Sequence, residues 1–155
     1  MNTTPTSVVV QPSEGKELRA FGDVLSVCLS GEQTGGALAV MLDETPPGGG
    51  PPFHVHSRED EWFLVVEGRI SYFADGRWTD VGPGGAVYFP RGCPHTYRNS
   101  GTTPSKHWIL TAPAGFEKFF ARCADEFAKP GGPDMSRIVE IHHEHGIQLL
   151  GEPPA

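Results

Sequence analysis

The chain has 155 residues, 37% of them apolar and 20% charged, with 19 acids against 12 Lys and Arg and a formal net charge of −7. That length suits a single domain with a sizeable core, and the composition is too apolar for a disordered chain. No basic cluster is longer than two residues, which argues against binding a nucleic-acid backbone and against docking on a membrane through a basic amphipathic helix.

The purely apolar runs, such as residues 37–42 and 62–66, fall far short of a bilayer span. No Lys or Arg precedes Lys16, and no apolar core of a secretory leader is visible near the N-terminus. Cys28, Cys93 and Cys123 are odd in number and widely spaced, which fits a reduced thiol state better than a disulfide framework. The expectation is a cytoplasmic protein.

Glycine and proline, 20 and 15 residues, punctuate the chain at 46–52 (PPGGGPP), 82–85 (GPGG) and 90–92 (PRG) instead of forming one low-complexity block. Short stretches rich in Val, Ile, Leu and aromatic residues lie between them. They predict strands over 24–29, 37–42, 53–56, 62–67, 70–74, 86–89, 95–98 and 106–111, with Asp75-Gly76 turning a hairpin into Arg77-Trp78-Thr79. Many short strands with Gly/Pro turns indicate an all-β sandwich or barrel.

After Pro113 the period changes. Phe116, Phe119, Phe120, Cys123 and Phe127 fall at helical spacing, and Pro130-Gly131-Gly132 stops that helix. Its Phe stripe is read as core packing. A second helix is predicted from Asp134, as N-cap, to about His145, ending at Gly146.

His54 and His56 are two apart, so on a strand they point to one side. Glu61 is at an odd offset from them and joins them only if the chain turns or bulges within 57–60; otherwise this stretch is a solvated loop. His95 follows a tight turn set by Pro90, Gly92 and Pro94.

These residues resemble the cupin family. Gly48, His54, His56, Glu61 and Gly68 match its first motif, G(X)5HXH(X)4E(X)6G, and Gly84, Pro90, Gly92, His95 and Asn99 match its second, G(X)5PXG(X)2H(X)3N. The intervening residues 69–83 are close to the shortest spacer the family uses. More weakly, PAGFEKFF and the closing HGIQLLG resemble small single-domain bacterial cupins related to quercetin dioxygenases.

The resemblance implies a double-stranded β-helix, or jelly roll, over about 24–112, with a helical extension over about 114–146, the whole of 1–155 forming one domain. It implies one divalent transition metal (Fe, Mn, Ni, Co, Cu or Zn) held by His54, His56, Glu61 and His95, with Glu61 also a candidate base. The spacing to Gly68 picks Glu61 as the ligand, so Glu59 and Asp60 are assigned to a solvated rim. Homodimerisation follows from family habit and from sheet edges that need cover.

Phe63 and Val65 share the parity of Glu61, and Tyr97 shares that of His95, so all three are candidate walls of a substrate pocket. His107 is expected as a partly exposed strand residue, His142, His143 and His145 as a solvated helix face, Cys93 as a small buried residue, and Asn99 with the motif glycines as turn and packing residues. The aromatic wall favours a dioxygenase acting on a small hydroxylated, flavonol-like or aromatic compound. A metal-assisted isomerase or lyase of a small metabolite, and a non-catalytic binding module, stay open.

Overall fold

A computed structural model describes residues 4–153. Eleven strands and two helices follow one another as β1 (Lys16–Ala20), β2 (Asp23–Leu29), β3 (Ala39–Thr45), β4 (Phe53–His56), β5 (Asp60–Glu67), β6 (Ile70–Ala74), β7 (Arg77–Val81), β8 (Ala86–Phe89), β9 (Thr96–Asn99), β10 (Ser105–Ala112), α1 (Phe116–Phe127), α2 (Met135–Glu144) and β11 (Ile147–Gly151). All strand pairs are antiparallel.

One wall is a six-stranded sheet in the order β1-β2-β3-β10-β5-β8. Facing it are the pair β11-β4 and the three strands β7-β6-β9. A bridge between His54 and His95 joins these two smaller sheets, each residue's N–H donating to the other's carbonyl at 3.1 and 2.9 Å. This is the jelly roll that the sequence predicts.

Alternation decides which side chains fill it. On β3 and β10 every second residue is buried, placing Met41, Asp43, Thr45, Ser105, His107, Ile109 and Thr111 inside. The same period on β5 turns Glu61, Phe63 and Val65 inward. Phe63, 2% exposed, packs within 6 Å, ring to ring, of Tyr72, Phe89, Tyr97 and His107. Its burial contributes about 1.5–3 kcal/mol. The close approach of 46–50 to β9 needs glycine: at Gly50, φ +153°, a Cβ would stand 2.0 Å from the Tyr97 carbonyl oxygen.

The two helices lie where their sequence signals put them. The Glu117 carboxylate ties the start of α1 to the loop after β2, accepting from Gly115 N at 2.8 Å and Gly31 N at 2.9 Å. Asp134 caps α2, accepting from Ser136 N and Arg137 N. Among the described residues no helix is long and apolar enough to cross a membrane.

The barrel departs from the expected boundaries at both ends. Strand β1 begins at Lys16, well before residue 24, because Leu18 and Ala20 alternate inward against Leu25 of β2. After α2 the chain does not end as a helical extension. It turns at Gly146, φ +72°, and returns as β11, pairing Ile147 with His56 and Leu149 with His54. Such a strand is invisible in the short IQLLG stretch because its partner lies some 90 residues earlier.

Candidate metal centre

Three elements bring the four expected ligands together. His54 and His56 come from β4, Glu61 from β5 on the opposite wall, and His95 from the turn before β9. The bend at 57–59, between β4 and β5, resolves the odd offset of Glu61: the two strands belong to different sheets. The backbone bridge between His54 and His95 fixes those two rings side by side, with centroids 4.6 Å apart.

One ligand atom from each residue lies within 4.8 Å of the others, and all four residues are buried. His54 Nε2 and His56 Nε2 are 3.1 Å apart, His56 Nε2 and Glu61 Oε2 3.4 Å, and His95 Nε2 and Glu61 Oε2 2.8 Å. Donors about 2.1 Å from a common ion, at angles near 90–110°, lie about 3.0–3.4 Å from one another. The two longer separations fall in that range.

Each imidazole is oriented through its other nitrogen. Nδ1 of His54 lies 2.6 Å from the Pro52 carbonyl oxygen, Nδ1 of His95 2.9 Å from that of Cys93, and Nδ1 of His56 3.1 Å from Glu59 Oε2. Donation from Nδ1–H leaves all three Nε2 lone pairs facing the centre. Phe89 stacks on the His95 ring at 4.1 Å and 15°.

Electrostatics agree with a cation site. Burial, then the neighbouring His95 and His56, push His54 down to about 3, so its imidazole is neutral. Burial alone would raise Glu61, but His56, His95 and His54 hold it down to about 2. Glu61 Oε2 and His95 Nε2 are buried and face each other at 2.8 Å off a hydrogen-bonding angle, and neither has another partner. Such atoms, converging with the Nε2 atoms of His54 and His56 into a set of three imidazoles and one carboxylate, fit a divalent transition metal.

The cluster opens into a cavity of about 60 Å³ between the barrel mouth and the helices. Phe63 and Tyr97 line it. Val65 does not: it is buried among the core residues, four positions along β5 from Glu61 and therefore ~13 Å deeper in the barrel. Phe116, Phe119 and Phe120 of α1 also line the cavity, so the stripe read as core packing closes the mouth as well.

Three histidine and acid assignments need correction. Glu59 is 4% exposed, not a solvated rim residue, because the bend after β4 turns its carboxylate under His56. Asp60 is half-buried at the rim, held by Arg91 Nε at 3.0 Å. His107 is 1% exposed, with Nε2 3.1 Å from Asp43 Oδ2 and Nδ1 accepting from the Tyr72 hydroxyl at 2.7 Å. His142 is buried in the cavity wall with Nδ1 2.7 Å from the Ile138 carbonyl oxygen, whereas His143 is exposed. Cys93 is half-buried, and Asn99 serves as a turn residue, donating to the carbonyls of Thr45 and Thr103.

A jelly roll with three histidines and a glutamate converging at its mouth is the cupin architecture. Residues 41–110 match the family model for the Cupin domain, and this match, with the relatives below, supports a small cupin. Quercetin 2,3-dioxygenase of Bacillus subtilis (strain 168) is 26% identical over 119 residues, 77% of this chain and 35% of that protein. The chain thus spans about a third of the length of that curated relative. A predicted oxalate decarboxylase from Thermotoga maritima superposes with TM-score 0.63 at 19% identity, over 68% of this chain and 99% of that one. The polyketide cyclase RemF from Streptomyces resistomycificus gives TM-score 0.59 at 24% identity, over 69% and 80%.

Proposed function

We propose that this cupin is a metal-dependent dioxygenase acting on a small hydroxylated compound with an aromatic or enolisable body. The observation that carries the reading is the set of four buried donors with unmet Glu61 Oε2 and His95 Nε2, opening on a cavity walled by Phe63, Tyr97 and the phenylalanines of α1. The similarity to quercetin 2,3-dioxygenase supports the reaction type.

A divalent ion held by His54, His56, Glu61 and His95 would polarise an oxygen brought to it and lower the pKa of a hydroxyl. The protein's own part is positional. His54, His56 and His95 keep their Nε2 atoms aimed inward through the Nδ1 contacts described above. Glu61 Oε2 accepts the hydroxyl proton of the bound compound, leaving an electron-rich anion for dioxygen. The phenylalanine wall excludes water from that anion.

Size narrows the substrate. The cavity of about 60 Å³ is far below the several hundred Å³ of a drug-sized site, so it admits a compact molecule or only the reacting edge of a flavonol. The same small volume favours, as the second reading, a metal-assisted isomerase or lyase.

Oxygen uptake by Fe-, Mn-, Ni-, Co- and Cu-loaded protein against flavonols, catechols and small hydroxy ketones separates the two. Uptake with one of these sets, and a loss of about 100-fold or more in turnover in Glu61→Gln with metal retained, is the expected result. Product formation without oxygen consumption would overturn the dioxygenase reading, and wild-type turnover in Glu61→Gln would remove the base.

The outer face of the six-stranded sheet carries exposed Leu64, Val66 and Tyr88 beside half-buried Trp62, Trp108 and Leu110. This apolar face supports a homodimer. Light scattering should then give a dimer mass that Leu64→Arg converts to a monomer; a wild-type monomer would contradict it.

A further inference from the structure

A second polar group faces the metal cavity from outside the ligand set. Asp23, the first residue of β2, is 6% exposed and lines the cavity together with Tyr97. Its Oδ1 has no hydrogen-bond partner, and no hydrogen bond among the described residues joins it to His54, His56, Glu61 or His95. A buried carboxyl oxygen left unpaired at a cavity wall costs free energy unless something in the cavity meets it.

The neighbour of Asp23 explains its chemistry. Asp43, on β3, receives three donors on Oδ2: Thr45 Oγ1 at 3.0 Å, Tyr97 OH at 3.0 Å and His107 Nε2 at 3.1 Å. The Tyr97 phenol is thus held as a donor to Asp43 and is not free for the cavity. Two close carboxyls cannot both carry charge cheaply in a dry interior, and the donors converge on Asp43. Burial and the adjacent Asp43 push Asp23 well above the usual carboxylate range, against a smaller opposing pull from Thr45. No Lys or Arg lines the cavity.

We propose that Asp23 is a substrate-binding residue: a neutral carboxylic acid that donates a hydrogen bond to an uncharged carbonyl or hydroxyl oxygen of the bound compound and, with Asp43 behind it, rejects anions. The inference rests on the cavity being a substrate site and deepens the reading above. The substrate class it specifies is a compact neutral molecule with two oxygens, one reaching the metal centre and one reaching Asp23. Hydroxy ketones fit; dicarboxylates and sugar phosphates do not, because with one group at the metal centre the second brings a negative charge to Asp23, with Asp43 behind it and no Lys or Arg in the cavity lining.

The test uses hydroxyacetone and glycolate, a pair of similar size that differ in a ketone against a carboxylate. Both are titrated anaerobically into Zn²⁺-loaded protein and binding is read by ligand-observed NMR, so the result does not depend on any turnover. The ratio of hydroxyacetone to glycolate affinity should fall at least about fivefold in Asp23→Leu, a comparison from which direct binding of the carboxylate to zinc cancels. Asp23→Asn, which keeps a neutral donor, should hold hydroxyacetone within about threefold, whereas Asp23→Leu should weaken it by about five- to tenfold.

A thermal melt of each variant confirms the fold, and zinc content confirms the centre. Absence of hydroxyacetone binding to the loaded wild type, an unchanged ratio of hydroxyacetone to glycolate affinity in Asp23→Leu, or unchanged hydroxyacetone binding in that variant would each overturn the proposal. Lack of oxygen uptake would not, because it bears on the dioxygenase reading alone.

Discussion

Two polar clusters share the inside of this barrel, and they differ in whether they close on themselves. Around Asp43, the donors of Thr45, Tyr97 and His107 converge on one carboxylate oxygen, and Tyr72 completes His107. Around Glu61, three imidazoles are held through their outward nitrogens, and Glu61 Oε2 and His95 Nε2 meet only each other, off a hydrogen-bonding angle. Phe63 stands between the two, 6.5 Å from the His95 ring and 5.2 Å from the His107 ring. Both clusters contain buried histidine and acid. A network with its hydrogen bonds met is structural, and one with converging unmet donors is a ligand site.

The sharpest way to break this distinction is to remove the acceptor of the closed network. Asp43→Ala leaves the Tyr97 and His107 donors unpaired in a dry interior and should destabilise the fold by about 3 kcal/mol. Urea unfolding reads that loss, while metal content of the folded variant should stay at the wild-type level. Loss of metal without loss of stability would mean that the two clusters have been assigned the wrong way round.

A smaller effect sharpens the ligand side. Glu59 touches no partner of the cavity except His56, whose ring it orients. Glu59→Ala removes that oxygen and should lower metal affinity by about 10–100-fold with the fold intact, as measured by competition with a chromophoric chelator. An unchanged affinity would return Glu59 to the rim.

The smallest effect concerns Asp23, which belongs to neither cluster. Its folded pKa is raised by burial and by Asp43, so the folded protein holds this proton where the unfolded chain releases it. The stability associated with that proton is therefore full below about pH 4 and is lost as pH rises toward the folded value. Asp23→Asn removes the dependence, so the variant should gain on the wild type between pH 5 and pH 8 by on the order of 1 kcal/mol. Thermal melts at the two pH values check the sign, and a gain that shrinks with rising pH would contradict it.

The ligand half of this picture was legible in the sequence because it is written at set spacings: His54, His56 and Glu61 in one motif, His95 in the other, with Gly50 beside them where β9 passes too close for any side chain. Strand parity turns Phe63 and Tyr97 inward, and both line the cavity. Parity says which face a residue takes but not how deep it lies, and Val65 shares the face of Glu61 without sharing its cavity. The closed network was not legible, since burial of His107 depends on Asp43, 64 residues away, across the β3–β10 pairing. Glu59 was misread because a polar bend looks solvated until the strand after it is seen to leave for another sheet. Strand β11 hid for the same reason of range: only its pairing with β4, behind the two histidines, makes IQLLG a strand.

The central claim is that the Glu61 cluster is a metal site while the Asp43 cluster is not. Elemental analysis of protein purified without chelator, compared with a His54→Ala, His95→Ala double variant, tests it most directly. The account predicts about one divalent transition metal per wild-type chain, from four ligands for one ion, and background metal in the double variant. Full metal in the double variant, or none in the wild type even after incubation with Fe, Mn, Ni, Co, Cu or Zn, would contradict it.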